Sequence, residues 1–354
     1  MIEKIVASAK SSWSSGEGPY HHIAISSRIR LARNLAGLPM PPFQNEDMGG
    51  AVLEKIRTAA EQIAVEEEAK LSFFRLSDLS PLDRLILIEK HLISKEHADG
   101  KAGRGLLINT AGSVSIMINE EDHLRIQALV PGLQLERAWE LADRIDDLLE
   151  AQLEYAFHED KGYLTACPTN VGTGLRASVM LHLPGLALTN QAPKIFSALG
   201  QLGLAVRGLY GEGTEATGHI YQISNQITLG QKEIEIIQNI STVTRQIIEK
   251  EEETRKIIIK EMPLQIKDRV GRAYGILKNA AVLSSQEALN LLSDLRLGID
   301  QDIIQIGLGC IELNELMVAS QPGFLQKFAG APMEALERDA ARARYFQEML
   351  EKRG

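Results

Sequence analysis

The stretch "SVSIMINEEDHLRIQ", Ser113 to Gln127, decides how the chain is read. Its first half is apolar and β-branched, the composition of a buried strand. It then runs directly into Glu120, Glu121 and Asp122, with His123 and Arg125 just beyond. Adjacent like charges repel, so such a turn needs either open solvent or a cationic ligand. Before it, "GLLIN" (105–109) is a second β-rich run, separated from "SVSIMIN" (113–119) by "TAG", and the pair predicts a hairpin.

Working outward, "IAISSRIRLARNL" (23–35) reads as a strand that puts Arg28 and Arg30 on one face, two residues apart. Helical spacing appears over 48–70, 80–93 and 133–155, and strand-like runs at 162–168, 204–210 and 219–229. "RASVMLHLPGLALT" (176–189) passes from a Gly-rich turn into strand or helix. Strands and helices mixed this irregularly predict an α+β fold with a largely antiparallel sheet flanked by helices. The character changes after about Gly230, where 233–261 is one long helical pattern ended by Pro263. Further helices are expected over 264–279, over 285–296 behind a Ser284/Glu287 capping box, before "SQPG", and from Pro332 to about Lys352. The expected division is a mixed domain over 1–258 and an all-helical domain over 259–354.

At 354 residues, two domains are the default. A composition of 44% hydrophobic and 24% charged residues is that of an ordinary globular protein, with no apolar run long enough to span a bilayer and no signal-peptide core. No membrane association is expected. The net charge of −9 argues against a general nucleic-acid binder, although it leaves room for a local basic pocket. Cys167 and Cys310 are the two cysteines, without CxxC spacing, which fits a reducing cytoplasm. There is no P-loop, HExxH or GxSxG. A GxGxx(G/A) match at 211–216 leads into another strand, "TGHIYQIS", rather than the helix a dinucleotide site requires.

Arginines recur at strand ends and Gly-rich turns: Arg28 and Arg30, Arg125, Arg176 in "NVGTGLRAS", and Arg207 in "VRGLYGEG". Guanidinium forks bind phosphate bidentately and keep their charge, so several converging on one point can cradle a polyphosphate without a P-loop. Taken singly, each is more often a surface residue.

Together, "SSRIRLARNL", "NEEDHLR", "CPTNVGTGLRASV", "RGLYGEG" and "YQISN" closely resemble the catalytic domain of the phosphagen (guanidino) kinases, in order, over about residues 23–255. The resemblance implies ATP as phosphoryl donor, with Mg²⁺ held mainly through phosphates and water rather than by a protein ligand set. It assigns Arg28, Arg30, Arg125, Arg176 and Arg207 to the ATP phosphates, framed by Ser27, Ile29, Ala177, Ser178, Val179, Gly208 and Gly211. His91 falls near the adenine, and Met180 stands where the family often has a histidine, so adenine packing differs in detail. Glu121 becomes the carboxylate that grips the substrate guanidinium and takes its proton, Glu120 tunes the charge beside it, and Glu212 in "YGEGTE" is the second carboxylate. Cys167 is the thiolate that helps place the guanidinium, whereas Cys310 reads as a small buried hydrophobe.

Small-molecule members carry a helical substrate-closing domain ahead of the catalytic one. Here the first motif begins at Ser26, and a helical C-terminal domain follows instead. This layout resembles the bacterial protein-arginine kinase branch, which implies phosphorylation of surface arginines in proteins, including a DNA-binding repressor. It further implies an activator protein, a Clp-type ATPase/protease acting on the marked proteins, and a homodimer formed through the C-terminal domain. Arg338, Asp339, Arg342 and Ala343 match that branch's RDxxRA signature, an allosteric phosphoarginine site. The competing readings are a free-arginine kinase and a catalytically inactive binding scaffold.

Overall fold

The computed structural model describes residues 1–63, 70–208 and 216–353. Among these, eight strands form one sheet in the order β2-β3-β4-β5-β1-β8-β10-β9. They are β1 (Ala24–Arg33), β2 (Leu71–Arg75), β3 (Gly105–Asn109), β4 (Val114–Ile118), β5 (Leu124–Pro131), β8 (Leu175–His182), β9 (Leu204–Gly208) and β10 (Ile220–Asn225). Every neighbouring pair is antiparallel. A separate short hairpin joins β6 (Phe157–His158) to β7 (Gly162–Tyr163).

Side chains alternate across a strand, so register sorts the sheet into two faces. On one face Ile29, Leu31, Ile126, Ala128, Ala177, Val179 and Ile223 are buried. They pack under α4 (Leu135–Glu150) and α7 (Glu233–Glu261) in one apolar cluster. Helix α4 covers the sheet because Leu135, Ala138, Ala142, Ile145 and Leu149 recur every three or four residues. Each fully buried Ile or Leu contributes about 1.5–3 kcal/mol, so this layer holds the central strands rigidly.

The opposite face is polar at one end. At the other end, Ile25, Leu129, Met180 and Ile220 join Trp13 and the C-terminal helices in a second cluster. Those helices are α8 (Pro263–Asn279), α9 (Ser285–Asp300), α10 (Cys310–Ala319), α11 (Pro322–Ala329) and α12 (Ala335–Arg353). They share a core with the sheet. Helix α11 is also tied to α3 (Pro81–Glu89), whose Glu89 carboxylate accepts Gly323 N at 2.6 Å and Phe324 N at 3.0 Å.

The 105–119 hairpin is present as β3 and β4. The Ser284 cap is formed, its hydroxyl accepting Glu287 N at 3.2 Å. Other elements are shorter than their sequence patterns. The helix expected over 48–70 is α2 (Glu46–Gln62), and its last expected residues fall mostly outside the described ones. The helix expected over 80–93 stops at Glu89, because His91 takes a left-handed φ of 58°. Only Gly162–Tyr163 of the strand expected over 162–168 is formed. Ala166 N turns instead to Asp122 Oδ1, and Pro168 starts a short 3₁₀ turn. The strand expected over 219–229 ends at Asn225, whose side-chain amide bonds Ala177 N and Leu175 O and so takes over the ladder's last contacts. "RASVMLHLPGLALT" is both elements, β8 followed by α5 (Pro184–Leu188). Five elements were not read as such from the sequence: β2, β5, β6, α6 (Ala192–Gln201) and α11.

Candidate active site

Arg30 on β1 lies directly opposite Arg176 on β8, and Arg28 opposite Ser178. On the other side Ala32 faces Arg125 of β5. Further along, Gln222 of β10 faces Arg207 of β9. Opposed residues share a face, so Arg28, Arg30, Arg125, Arg176 and Arg207 all project from the side away from α4 and α7. Arg33, with odd parity, points into the other side. There it ion-pairs with Asp146 at 2.6 Å and stacks on Tyr163 at 3.5 Å, a structural role.

Arg30, Arg125 and Arg176 line one cavity of about 100 Å³ together with Glu121, Cys167, Thr169 and Asn170. Arg28 is held beside it by Gln222 Oε1 at 2.8 Å, and Arg176 Nη2 donates to Ser224 Oγ at 3.2 Å. The buried Nε atoms of Arg30 and Arg176 find no partner among the described residues. Burial, followed by repulsion from Arg176 and Arg125, lowers the Arg28 guanidinium to about 10. Burial and repulsion from Arg28, Arg125 and Arg176 push Arg30 well below its ordinary range. Burial and Arg207 lower Arg176. Clustered cations with unused donors constitute an anion site.

The acidic turn sits against this cluster. Arg125 Nη1 reaches Glu120 Oε2 at 2.7 Å and its Nη2 reaches Glu121 Oε2 at 3.1 Å. Glu120 also accepts Ser94 Oγ at 2.5 Å and is buried, whereas the Glu121 side chain is 41% exposed and open to the cavity. Burial raises the Glu121 carboxyl despite Arg125 beside it. Cys167 lines the same cavity, its Sγ 3.0 Å from Thr169 Oγ1, and is partly exposed. Adjacent acids thus hold because a guanidinium bridges them.

The remaining residues expected at the site fall into groups. Ser27, Ile29, Ala177 and Val179 frame it through the backbone only. The Ile29, Ala177 and Val179 side chains belong to the opposite apolar face, and Ser27 Oγ bonds Gly132 O at 2.8 Å. Strand parity dictates this, since they alternate with the arginines. Ser178 shares the arginine face, and its hydroxyl lies 3.4 Å from Arg28 Nε. His91 packs its ring 5.3 Å from Trp13, and burial, with Arg28 nearby, lowers its imidazole to about 3. Met180 is buried in the cluster shared with the C-terminal helices. Arg207 is exposed on β9, whose last residue is Gly208. Gly211 and Glu212 lie outside the described residues.

The RDxxRA residues sit on α12, outside the lining of that cavity. Arg342 is 2% exposed, bonding Ser320 O, Leu283 O and Asp339 Oδ1, each at 2.6 Å. Ala343 is buried, and Arg338 Nη1 donates to Met333 O at 2.6 Å. Sequence reading missed Asn34, Ser94, Gln222 and Asn225 as neighbours of the site. Their contacts run across strands and loops, so local spacing carried no signal for them.

Among the described residues no cluster of three or more His, Cys, Asp or Glu is placed to hold a metal ion. The arginine face, with its unpaired donors, fits a polyphosphate, and an Mg²⁺ ion bound there would be carried on phosphates and water.

Solved guanidino kinases share this fold. One is a lombricine kinase, 28% identical with a TM-score of 0.59 over 71% of this chain and 75% of that chain. Another is the duplicated taurocyamine kinase from Schistosoma mansoni with bound transition state analog components, 27% identical with a TM-score of 0.61 over 74% of this chain and 40% of that one. Residues 51–254 match the ATP:guanido phosphotransferase C-terminal catalytic domain, and residues 263–354 match the protein-arginine kinase McsB C-terminal domain. The protein-arginine kinase of Moorella thermoacetica is 53% identical over 341 residues, covering 96% of this chain and 97% of the relative. That of Symbiobacterium thermophilum is 52% identical over 341 residues, covering 96% of each. The chain belongs to the ATP:guanido phosphotransferase family, in its protein-arginine kinase branch.

Proposed function

We infer that this chain transfers the γ-phosphoryl group of ATP to a guanidinium nitrogen of arginine residues in proteins. The observation that carries this is one cavity lined by Arg30, Arg125 and Arg176 together with Glu121 and Cys167. Arg28, Arg30, Arg125, Arg176 and Arg207 bind the phosphates and neutralise charge as the bond between the γ-phosphorus and its bridging oxygen breaks. A guanidinium is protonated and a poor nucleophile. Glu121 orients its planar fork and accepts the proton released as the N–P bond forms. Glu120, held by Ser94 and Arg125, fixes the turn, and Cys167 borders the guanidinium position in the same cavity. Glu212 is kept as the second carboxylate. Mg²⁺ on the ATP phosphates adds further charge neutralisation. Phosphoryl transfer depends on positioning and charge, which these residues supply.

A protein substrate is favoured over free arginine because the C-terminal region matches a domain named for protein-arginine kinases. Phosphorylation replaces a cation with a net negative group and abolishes its pairing with DNA phosphates or carboxylates. The family resemblance extends this to release of a DNA-bound repressor and marking of proteins for a Clp-type protease. An activator protein, a homodimer through the C-terminal helices, and a cytoplasmic location complete the reading. The last accords with two free cysteines and no helix of the described residues apolar enough to cross a membrane.

The test is incubation with ATP and a basic protein, followed by mass spectrometry under conditions that preserve acid-labile phosphoarginine. Phosphorylated free arginine without phosphorylated protein would favour the phosphagen-kinase alternative, and absence of ATP turnover the inactive scaffold.

A further inference from the structure

Beside the cavity lies a buried amide that touches neither phosphate-binding arginine nor substrate position. Asn34, the residue after β1, is 1% exposed. Its Nδ2 donates to Asp122 Oδ1 at 2.6 Å and to Leu164 O at 3.0 Å, and its Oδ1 accepts His123 N at 2.9 Å. Asp122 Oδ1 also accepts Ala166 N at 2.7 Å. One side chain therefore joins the acidic turn to the loop leading into Cys167, segments 88 and 130 residues away in sequence. Asp122 is fully buried, and its second oxygen has no partner among the described residues. Its carboxyl, raised by burial, accepts two N–H donors, from Asn34 and Ala166, and feels the charge of Arg125 nearby.

The covalent neighbours of this pair give it its importance. Glu121 precedes Asp122, Cys167 follows Ala166, and both border the same cavity. Among the described residues, Glu121 and Cys167 have side-chain bonds to Arg125 and Thr169 respectively, and none that ties one to the other.

We propose that Asn34 is a positioning residue for phosphoryl transfer: with Asp122 it forms a buried clamp that sets the gap between the Glu121 carboxylate and the Cys167 thiol. This rests on reading the cavity as the guanidinium site. A planar guanidinium held between a carboxylate and a thiol tolerates little change in that gap, since about 1 Å of misplacement costs about a hundredfold in rate.

The test compares Asn34→Ala, Asn34→Asp and the exchanged pair N34D/D122N with wild type. Asn34→Asp sets two carboxylates face to face, whereas the exchange restores one donor–acceptor contact across the same gap while Ala166 N and Leu164 O lose theirs. Thermal melts establish folding and ATP titration establishes the nucleotide site. The readouts are kcat/KM for arginine phosphorylation and the pH profile of Cys167 alkylation by iodoacetamide. In the single variants kcat/KM should fall about a hundredfold, with ATP affinity within about threefold of wild type and a shifted alkylation profile. The exchanged pair should regain at least about tenfold. If Asn34→Ala does not fold, Asn34→Asp and the exchanged pair carry the comparison. Wild-type kcat/KM and alkylation profile in Asn34→Asp would overturn the clamp. So would a loss of activity that leaves the alkylation profile unmoved and is not recovered by the exchange. Glu121→Gln run in parallel separates the two levels. If it retains wild-type turnover, the reading of the cavity fails; if it is inactive while the Asn34 variants are normal, only the clamp fails.

Discussion

Replacing Arg28 with Gln should make the ligand-free protein more stable while damaging its function. Arg28 is lowered from the ordinary guanidinium range to about 10, by burial first and then by Arg176 and Arg125. At 1.36 kcal/mol per unit, the charged form costs the native state about 3 kcal/mol. The sign follows from linkage: a cation whose folded pKa lies below its unfolded value destabilises the fold. That cost is fully present below about pH 10 and disappears as pH rises from there to the ordinary guanidinium value. Losing the bonds to Gln222 Oε1 and Ser178 Oγ offsets about 2 kcal/mol of the relief. The net expectation is a gain of about 1 kcal/mol, or about 2 °C in Tm. Bound polyphosphate reverses the balance, because it supplies the missing counter-charge. A tenfold loss of ATP affinity removes about 1.4 kcal/mol of ligand-induced stabilisation at saturating ATP. Urea denaturation of both proteins, with and without ATP, should show Arg28→Gln ahead in its absence and level or behind in its presence. A variant less stable than wild type without ligand, or one with an unchanged ATP-induced shift, would refute the view that this face is strained for an anion.

Glu121→Gln should lower arginine phosphorylation by at least about 10²-fold with ATP binding intact. Because burial raises the Glu121 carboxyl, wild-type activity should fall as pH drops through that raised value, and the residual activity of the variant should lack this acid limb. Arg176→Lys keeps the charge but loses the fork that bonds Ser224 and presents a free Nε, so turnover should fall at least about tenfold. Full activity there would sink the bidentate contact. The double variant R338A/D339A should abolish phosphoarginine binding in calorimetric titration while leaving ATP affinity unchanged. Equal phosphoarginine affinity in the two proteins would reduce the motif to an ordinary helix surface.

The arginine face was legible because strand parity is a strict rule. Arg28 and Arg30 share a face, and once β1 pairs with β5 and β8 the register brings Arg125 and Arg176 beside them. The same rule removes Ser27, Ile29, Ala177 and Val179 side chains from that face, and it separates Arg33 from its two neighbours. The acidic turn was legible in part: adjacent acids asked for solvent or a cation, and Arg125 bridges Glu120 and Glu121, whereas Asp122 is met by Asn34 and Ala166 N. What sequence could not display was the polar scaffold. Asn34, Ser94 and Asn225 act through contacts with residues far away in the chain, and an isolated Asn or Ser carries no period. Helix α11 escaped for a related reason: it has eight residues and opens on "QPG", which reads as a turn although Pro suits a first helical position.

The C-terminal motif shows where spacing stops being informative. Arg338 and Arg342 at i,i+4 do share a helix face, as spacing implies. Spacing does not say which stripe of that helix is buried, and on α12 the buried stripe runs through Arg342, Ala343, Phe346 and Leu350. Arg342 therefore ties α12 to Leu283 O and Ser320 O, while Arg338 and the one-third-exposed Asp339 remain nearer solvent. A phosphate arriving at this motif would meet Arg338 first and compete with Asp339 for Arg342. Binding there would exchange an internal ion pair for an external one, altering a residue that holds three C-terminal segments together. This is the physical requirement for a ligand that shifts a packing equilibrium, because only differential contact with two states moves a population. It is also why the double variant removes Arg338 and Asp339 and leaves Arg342 in place: losing phosphoarginine binding without losing the fold can then be assigned to the motif.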